Sequence, residues 1–142
     1  MTIIDDVDHP INKRKLKAQL ILQMGSSDPY TTKHAAQALH AWGWLFNGIL
    51  HGANLHEANL TDVNLGFADL TNVDLRGAVL QGTDLSNAKL SEANLDGAKG
   101  VTNEQLAQAK SLEHTTLPNG EIYDPAIHNE LAELRKKAGW KE

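Results

Sequence analysis

Between residues 48 and 100 a large aliphatic side chain returns at every fifth position. Leu50, Leu55, Leu60, Leu65, Leu70, Leu75, Leu80, Leu85, Leu90 and Leu95 form one unbroken series. Two residues before each stands a small or short side chain: Gly48, Ala53, Ala58, Val63, Ala68, Val73, Ala78, Thr83, Ala88 and Ala93, with Ala98 continuing the column. Asn or Asp precedes most of the leucines directly, as at Asn54, Asn59, Asn64, Asp69, Asp74, Asp84 and Asn94. The positions after each leucine are mostly polar or glycine. An α-helix turning about 100° per residue would place each leucine about 140° from the last and scatter the series around the cylinder. A straight strand would send alternate leucines to opposite faces. Within one repeat, however, the small residue and the leucine are two apart, the spacing that puts both on one side of an extended edge. The polar or glycine positions then turn the chain. A short edge and a corner, repeated, make a coil lined with leucine and small side chains. A disordered low-complexity tract lacks regularly spaced large apolar residues.

The runs Ala53-Asn54-Leu55-His56-Glu57, Ala58-Asn59-Leu60-Thr61-Asp62 and Ala68-Asp69-Leu70-Thr71-Asn72 resemble the A(D/N)LXX motif of the pentapeptide-repeat family, over about residues 48–100. The resemblance implies a β-solenoid, a short right-handed quadrilateral β-helix with four pentapeptides per coil. It implies no activity, because the family is functionally diverse. Four repeats per coil stack residues twenty apart and give the central leucines about 2.5–3 coils, a rise of about 12 Å at ~4.8 Å per coil. Three positions depart from the pattern. Val79 replaces the Asn/Asp type. Thr83 enters an interior slot, where its hydroxyl either bonds a backbone carbonyl or weakens that coil. Lys89 lies one coil above Asp69 and predicts a surface ion pair there, worth only ~0–1 kcal/mol.

The flanks read as α-helical caps at both ends, because open solenoid ends invite stacking. Residues 1–11 read as a disordered tail, 12–47 as an N-terminal helical cap, 48–100 as the repeat solenoid and 101–142 as a C-terminal cap. In the first cap Leu16, Leu20, Ile21 and Met24 recur at helical spacing up to Gly25, and Asp28-Pro29 starts a second helix carrying Ala35, Leu39 and Trp42. Trp44, Leu45 and Phe46 lead into the first repeat, and the three aromatics, Trp42, Trp44 and Phe46, either plug the first coil or form an exposed patch. In the second cap, Thr102 and Gln105 fit a capping box. Leu112 and Leu117 suggest one more irregular pass, and Pro118-Asn119-Gly120 a turn joining extended pieces. Asp124-Pro125 is the expected start of a last helix with Ile127, Leu131 and Leu134 on one face and a Glu133–Lys137 pair on the other.

Composition narrows the chemistry. With 13 Lys plus Arg against 18 Asp plus Glu, the net charge is −5, which argues against a general nucleic-acid or anionic-membrane binder. There is no cysteine, so disulfides and thiol chemistry are excluded and a reducing, cytoplasmic location is expected. No signal peptide or membrane span is legible. No phosphate-binding loop, dinucleotide fingerprint or His-Glu-x-x-His motif occurs. The seven histidines show no ligand spacing, and the carboxylates occupy outward positions with no enclosing cleft. No cofactor, no metal and no catalysis are expected.

The expected function is a non-catalytic protein–protein interaction or scaffold module. Its partner is an unidentified protein, or a second copy joined through the terminal helix or a solenoid end; no nucleic acid and no membrane are expected. Asp62, Phe67, Asp69, Asp74 and Asp84 are the candidate contact surface. The resemblance brings a second reading, a DNA mimic acting on a type II topoisomerase. Seven acidic and three basic residues leave the repeats at −4, sparse beside a duplex with one charge per ~1.7 Å. A third reading is an accessory domain of a signalling or defence system.

Overall fold

The computed structural model describes residues 10–141. The expected tail over 1–11 therefore lies outside the described residues up to residue 9. Pro10 and Ile11, assigned to that tail, instead begin helix α1 (Pro10–Met24). In α1 the row Leu16, Leu20, Met24 points inward, with Met24 fully buried. Helix α2 (Pro29–Ala41) starts where a cap and a proline coincide: Thr31 N–H donates to Asp28 Oδ2 at 2.9 Å, and Pro29 occupies the first turn. Its buried face is Thr32, Ala35, Ala36 and Leu39. A 3₁₀ turn, Trp44–Asn47, follows. Of its three large apolar residues only Leu45 is fully buried; Trp44 is half-buried and Phe46 is half exposed. The aromatics Trp42, Trp44 and Phe46 therefore do not plug the first coil, since Trp42 and Phe46 are exposed; the buried residue is Leu45, five before Leu50, so the leucine period starts one step earlier.

The repeat region is a β-helix-like solenoid. Parallel bridges pair residues twenty apart at four consecutive edges: Asn54 with Asp74, Asn59 with Val79, Asn64 with Asp84, and Asp69 with Lys89. Asp74–Asn94 and Val79–Lys99 repeat the register. Each edge is one residue pair wide, so the ladder has no long strands. Its bonds are regular: Leu55 N–H donates to Asp74 O (2.8 Å), Leu60 to Val79 O (2.8 Å) and Leu65 to Asp84 O (2.9 Å), while Asp74 N–H donates back to Ala53 O (3.0 Å). All ten leucines from Leu50 to Leu95 are buried. Thr83, also buried, donates its hydroxyl to Leu60 O at 2.8 Å, and Thr115 repeats this with Leu90 O at 2.7 Å. A hydroxyl thus enters the apolar column only with an acceptor in reach.

The flanking segments bond to the backbone of the outer passes. Asn59 N–H donates to Ser26 O at 2.8 Å, and the Thr32 hydroxyl donates to Asn59 O. At the other end the register changes: Lys89 pairs with Ser111 and Asn94 with Thr116, twenty-two apart. The two extra residues accommodate helix α3 (Asn103–Ala107), opened by a Thr102–Gln105 capping box with both bonds present. Gln105 Nε2 also donates to Leu80 O (2.8 Å) and Thr83 O (2.9 Å), satisfying carbonyls at the coil edge. Leu112 and Leu117 are buried in this extra pass. The chain then doubles back through Pro118-Asn119-Gly120, with Thr116 and Ile122 in an antiparallel bridge. Helix α4 (Asn129–Lys137) sends Arg135 into the core, where its Nη1 donates to Ala109 O at 2.8 Å.

Three expectations at this end need correction. Asp124-Pro125 does not start the helix. Asp124 Oδ1 accepts from Ala126 N–H (2.8 Å), closing a local turn, and Asp124 N–H donates to His128 Nδ1 (3.0 Å), so α4 begins only at Asn129. Ile127 consequently lies before the helix and is exposed, not on its buried face. The surface pair on α4 is Glu133 with Lys136, at 3.0 Å, not with Lys137.

Candidate interaction surface

The candidate residues fall into two structural classes. Asp69, Asp74 and Asp84 precede leucines, and each carboxylate bends back to accept the N–H two residues on: Thr71 (3.0 Å), Arg76 (3.1 Å) and Ser86 (2.9 Å). Asn54, Asn59, Asn64 and Asn94 do the same. An Asn or Asp at this position therefore fastens the corner that follows it, since a side-chain oxygen here replaces the backbone acceptor that a tight turn lacks; the corners after Val79 and Lys89 go without it. Asp69 and Asp74 are half-buried, not fully outward. The Asp69–Lys89 pair is not a direct contact: the side chain beside the Asp69 carboxylate is His51, whose Nδ1 lies 3.9 Å from it, and Lys89 acts on it through its field.

Charge follows from these contacts. Burial pushes the Asp69 carboxyl up, but hydrogen bonds from Thr71, with His51 and Lys89 nearby, hold it below the ordinary aspartate value. The Arg76 guanidinium does the same for Asp74, against burial, through bonds of 3.0 and 2.8 Å. A lowered folded value means that the stabilisation is complete above the ordinary aspartate pKa of ~3.9 and is lost as pH falls through the lowered one. Asp74→Asn keeps an acceptor for the corner, as Asn54 and Asn94 do in the same column, but deletes the titrating charge. We expect its stability at neutral pH to stay within ~1 kcal/mol of the parent. Its denaturant midpoint should fall less steeply than the parent's below pH ~4. Parallel curves of midpoint against pH would contradict this account.

Asp62 and Phe67 occupy corners, two residues past a leucine, where the backbone is left-handed (φ 58° and 62°). The other left-handed corners between residues 52 and 97 carry Gly, Asn or Glu. Phe67 is the single aromatic among them, in a conformation that costs an L-residue roughly 1–2 kcal/mol. It is also 62% exposed. Its ring meets that of Phe46, 50% exposed, edge to face at 6.4 Å between centroids, and Phe46 meets His40 at 5.6 Å. Beside this row a cleft of about 320 Å³ opens between α2 and the coil, lined by Lys33, Gln37, His40, Asp62 and Asn64 among others. Phe67 and Asp62 thus belong to one neighbourhood, linked through His40 to α2, while Asp69, Asp74 and Asp84 serve the corners. No sequence signal places His40 there, and in the sequence Phe46 stands only as one of three aromatics with Trp42 and Trp44. The one legible signal was an aromatic at a glycine-type corner.

Among the described residues no group of three or more His, Asp or Glu side chains is arranged to hold a metal ion, and no helix is long and apolar enough to cross a membrane. The class these observations define is a leucine-lined β-solenoid repeat unit presenting an aromatic surface row. The pentapeptide-repeat family model matches residues 45–77 and 68–99, with eight copies of the repeat, so this segment is built of pentapeptide repeats. Two solved structures are similar. One is HetL, a pentapeptide repeat protein involved in heterocyst differentiation regulation from the cyanobacterium Nostoc: 35% identity, 52% of this chain, 36% of that one, TM-score 0.38. The other is a pentapeptide repeat protein of the Arabidopsis thaliana thylakoid lumen: 34% identity, 46% of this chain, 41% of that one, TM-score 0.35. The match thus spans well under two thirds of either neighbour's length. No curated protein matches the sequence.

Proposed function

We propose that the chain is a non-catalytic protein–protein interaction or scaffold module. In this reading residues 48–100 form a right-handed quadrilateral β-helix of about 2.5–3 coils, with 12–47 and 101–142 as caps. The twenty-residue register and the bonds from Ser26, Thr32 and Gln105 to coil carbonyls and amides support it. The contact surface is the Phe46–Phe67 row with His40. The observation that carries it is Phe67, an exposed aromatic retained at a strained corner. It offers little stability there in return, whereas paired exposed aromatics make strong contacts with a protein partner. The DNA-mimic alternative is less well supported, because Asp69, Asp74 and Asp84 are engaged in corners and Arg76 covers Asp74. A supercoiling assay separates the two readings: this protein is expected to leave gyrase activity unchanged. Exposed Ile122 and Ile127 favour a second copy as a partner at the C-terminal end, read by light scattering.

Phe67→Gly combined with Phe46→Ser tests the surface. Glycine suits a left-handed corner, so the loss of ring contact is offset and stability should stay within ~1 kcal/mol of the parent. Crosslinking from native lysate followed by mass spectrometry should show partner peptides at α2 and the 62–67 corners in the parent, and lose them in the variant. Unchanged crosslinks in a folded variant would end the proposal.

A further inference from the structure

The join between the last coil pass and α4 turns on one ring. The His128 side chain is 14% exposed and engaged at both nitrogens. Its Nε2 lies 2.9 Å from Glu121 Oε2. Its Nδ1 lies 3.0 Å from Asp124 N and 3.1 Å from Asp124 O, so the amide and the carbonyl of one residue stand at the same nitrogen. An N–H only donates. The Asp124 amide therefore needs a bare Nδ1 and puts the ring proton on Nε2, which donates to the Glu121 carboxylate. Asp124 O already accepts from Ile127 N–H at 3.0 Å and from His128 N–H at 2.8 Å. Among the described residues, the ionisable groups about the ring are Glu121, Asp124, Glu130 of α4 in the same cleft, and buried Tyr123, 5.9 Å away between centroids; α3 contributes the neutral Asn103. Bonds from His128 and then Asn119 hold the Glu121 carboxyl below its usual range, so it stays charged wherever an imidazole titrates.

We propose that His128 is a proton-operated toggle at the entry to α4. The neutral ring holds the Asp124 N–H; the protonated ring drops it and donates from Nδ1 to Asp124 O instead. One proton is gained at Nδ1, and the ring need not move, because both partners are already in reach. The Asp124 N–H then has no acceptor, since a protonated Nδ1 has no lone pair. Asp124 O faces three donors with two lone pairs, so the bonds from the Ile127 and His128 amides weaken. Glu121 anchors the ring throughout, because its bond to Nε2–H strengthens when the ring is charged. The cation also arises at the N-cap position of α4, where the helix dipole disfavours it. Acid therefore loosens the turn that mounts α4, and with it the segment carrying exposed Ile122 and Ile127. The inference concerns this hinge alone and does not depend on the aromatic row.

The test follows the full chain by NMR from about pH 8 to about pH 5. His128 is titrated through its own ring signals, and hydrogen exchange is expressed as protection factors, which remove the intrinsic pH dependence of exchange. At the upper end the ring nitrogens should report the Nε2–H tautomer. As His128 takes up its proton, protection at Asp124 should fall about tenfold and at Ile127 several-fold. Tyr123, whose N–H donates to Thr115 O at 2.8 Å, and Leu75 in the coil should hold constant. His128→Leu should leave Asp124 poorly protected at every pH. Glu121→Ala should keep the response at Asp124, because the exchange of partners takes place at Nδ1, and this variant serves if His128→Leu does not fold. Constant protection at Asp124 through the titration of His128 overturns the proposal, as does an Nδ1–H tautomer at the upper end. Loss of the response in folded Glu121→Ala overturns it too, since the ion pair alone would then carry the effect.

Discussion

Leu75→Ala should destabilise the protein by about 3–5 kcal/mol, among the largest effects of any single truncation. The bridges Asn54–Asp74 and Asp74–Asn94 set Leu75 in register with Leu55 on one side and Leu95 on the other, and all three are inaccessible to solvent. A missing isobutyl group in the middle of such a column cannot be filled from either side. The neighbouring leucines are fixed by ladder bonds, Leu55 N–H to Asp74 O and Leu75 N–H to Asn94 O, each 2.8 Å. The site therefore relaxes little, which puts the cost at the upper end of the range for cavity-forming changes. In a chain of this size that is about 10–15 °C in melting midpoint. Leu22→Ala is the control: the same atoms are removed from a side chain 81% exposed, and the change should stay within about 0.5 kcal/mol. Urea midpoints decide the matter, and a cost below about 1 kcal/mol for Leu75→Ala would contradict the stacked-column account.

Burial of the leucine series was legible because periodicity alone forced it: no helix or flat strand keeps every fifth residue inside. The role of Thr83 followed from the same logic, since a hydroxyl in an apolar column needs an acceptor, and Leu60 O supplies it. The Pro118-Asn119-Gly120 turn was legible as local chemistry. What local pattern could not decide was competition between equally reasonable local choices. Asp124-Pro125 has the grammar of a helix start, yet the His128 ring takes the Asp124 amide and the helix waits until Asn129. Asp69, Asp74 and Asp84 looked like free outward acids because the backbone N–H that each accepts is invisible without the corner geometry. The Phe46–Phe67 row joins a 3₁₀ turn to a coil corner, a meeting of elements that no period encodes. Charge behaved similarly: a net of −5 concealed a carboxylate-free basic helix.

Gly100→Ala should cost about 3–4 kcal/mol, and the reason separates it from the other left-handed glycines. Gly82, Gly97 and Gly100 have nearly the same backbone, with φ of 69°, 71° and 73°. Conformation alone therefore predicts one common cost of about 1–2 kcal/mol for alanine at each. Their surroundings differ. A methyl group at Gly97 would meet nothing nearer than Gly77 N at 3.8 Å, an ordinary contact. At Gly82 it would fall 2.0 Å from Asp62 Oδ1, but that is the end of a flexible, exposed side chain that swings aside. At Gly100 it would lie 2.9 Å from Gln81 Cβ and 3.1 Å from both Gln81 Cα and N, so backbone has to move. That backbone is pinned on the adjacent residue, because Leu80 N–H donates to Lys99 O at 2.7 Å and Leu80 O accepts from Gln105 Nε2. Displacing it loosens the departure of the chain from the coil into α3 and loses the carbonyl partners that Gln105 supplies. The expected order of cost is Gly100 well above Gly82, with Gly82 at or slightly above Gly97. Adding Asp62→Ala to Gly82→Ala should bring it to the Gly97 level and leave Gly100→Ala unrelieved. Equal costs at all three positions would show that the left-handed backbone, and not the close approach of Gln81, is what requires glycine at the exit of the coil.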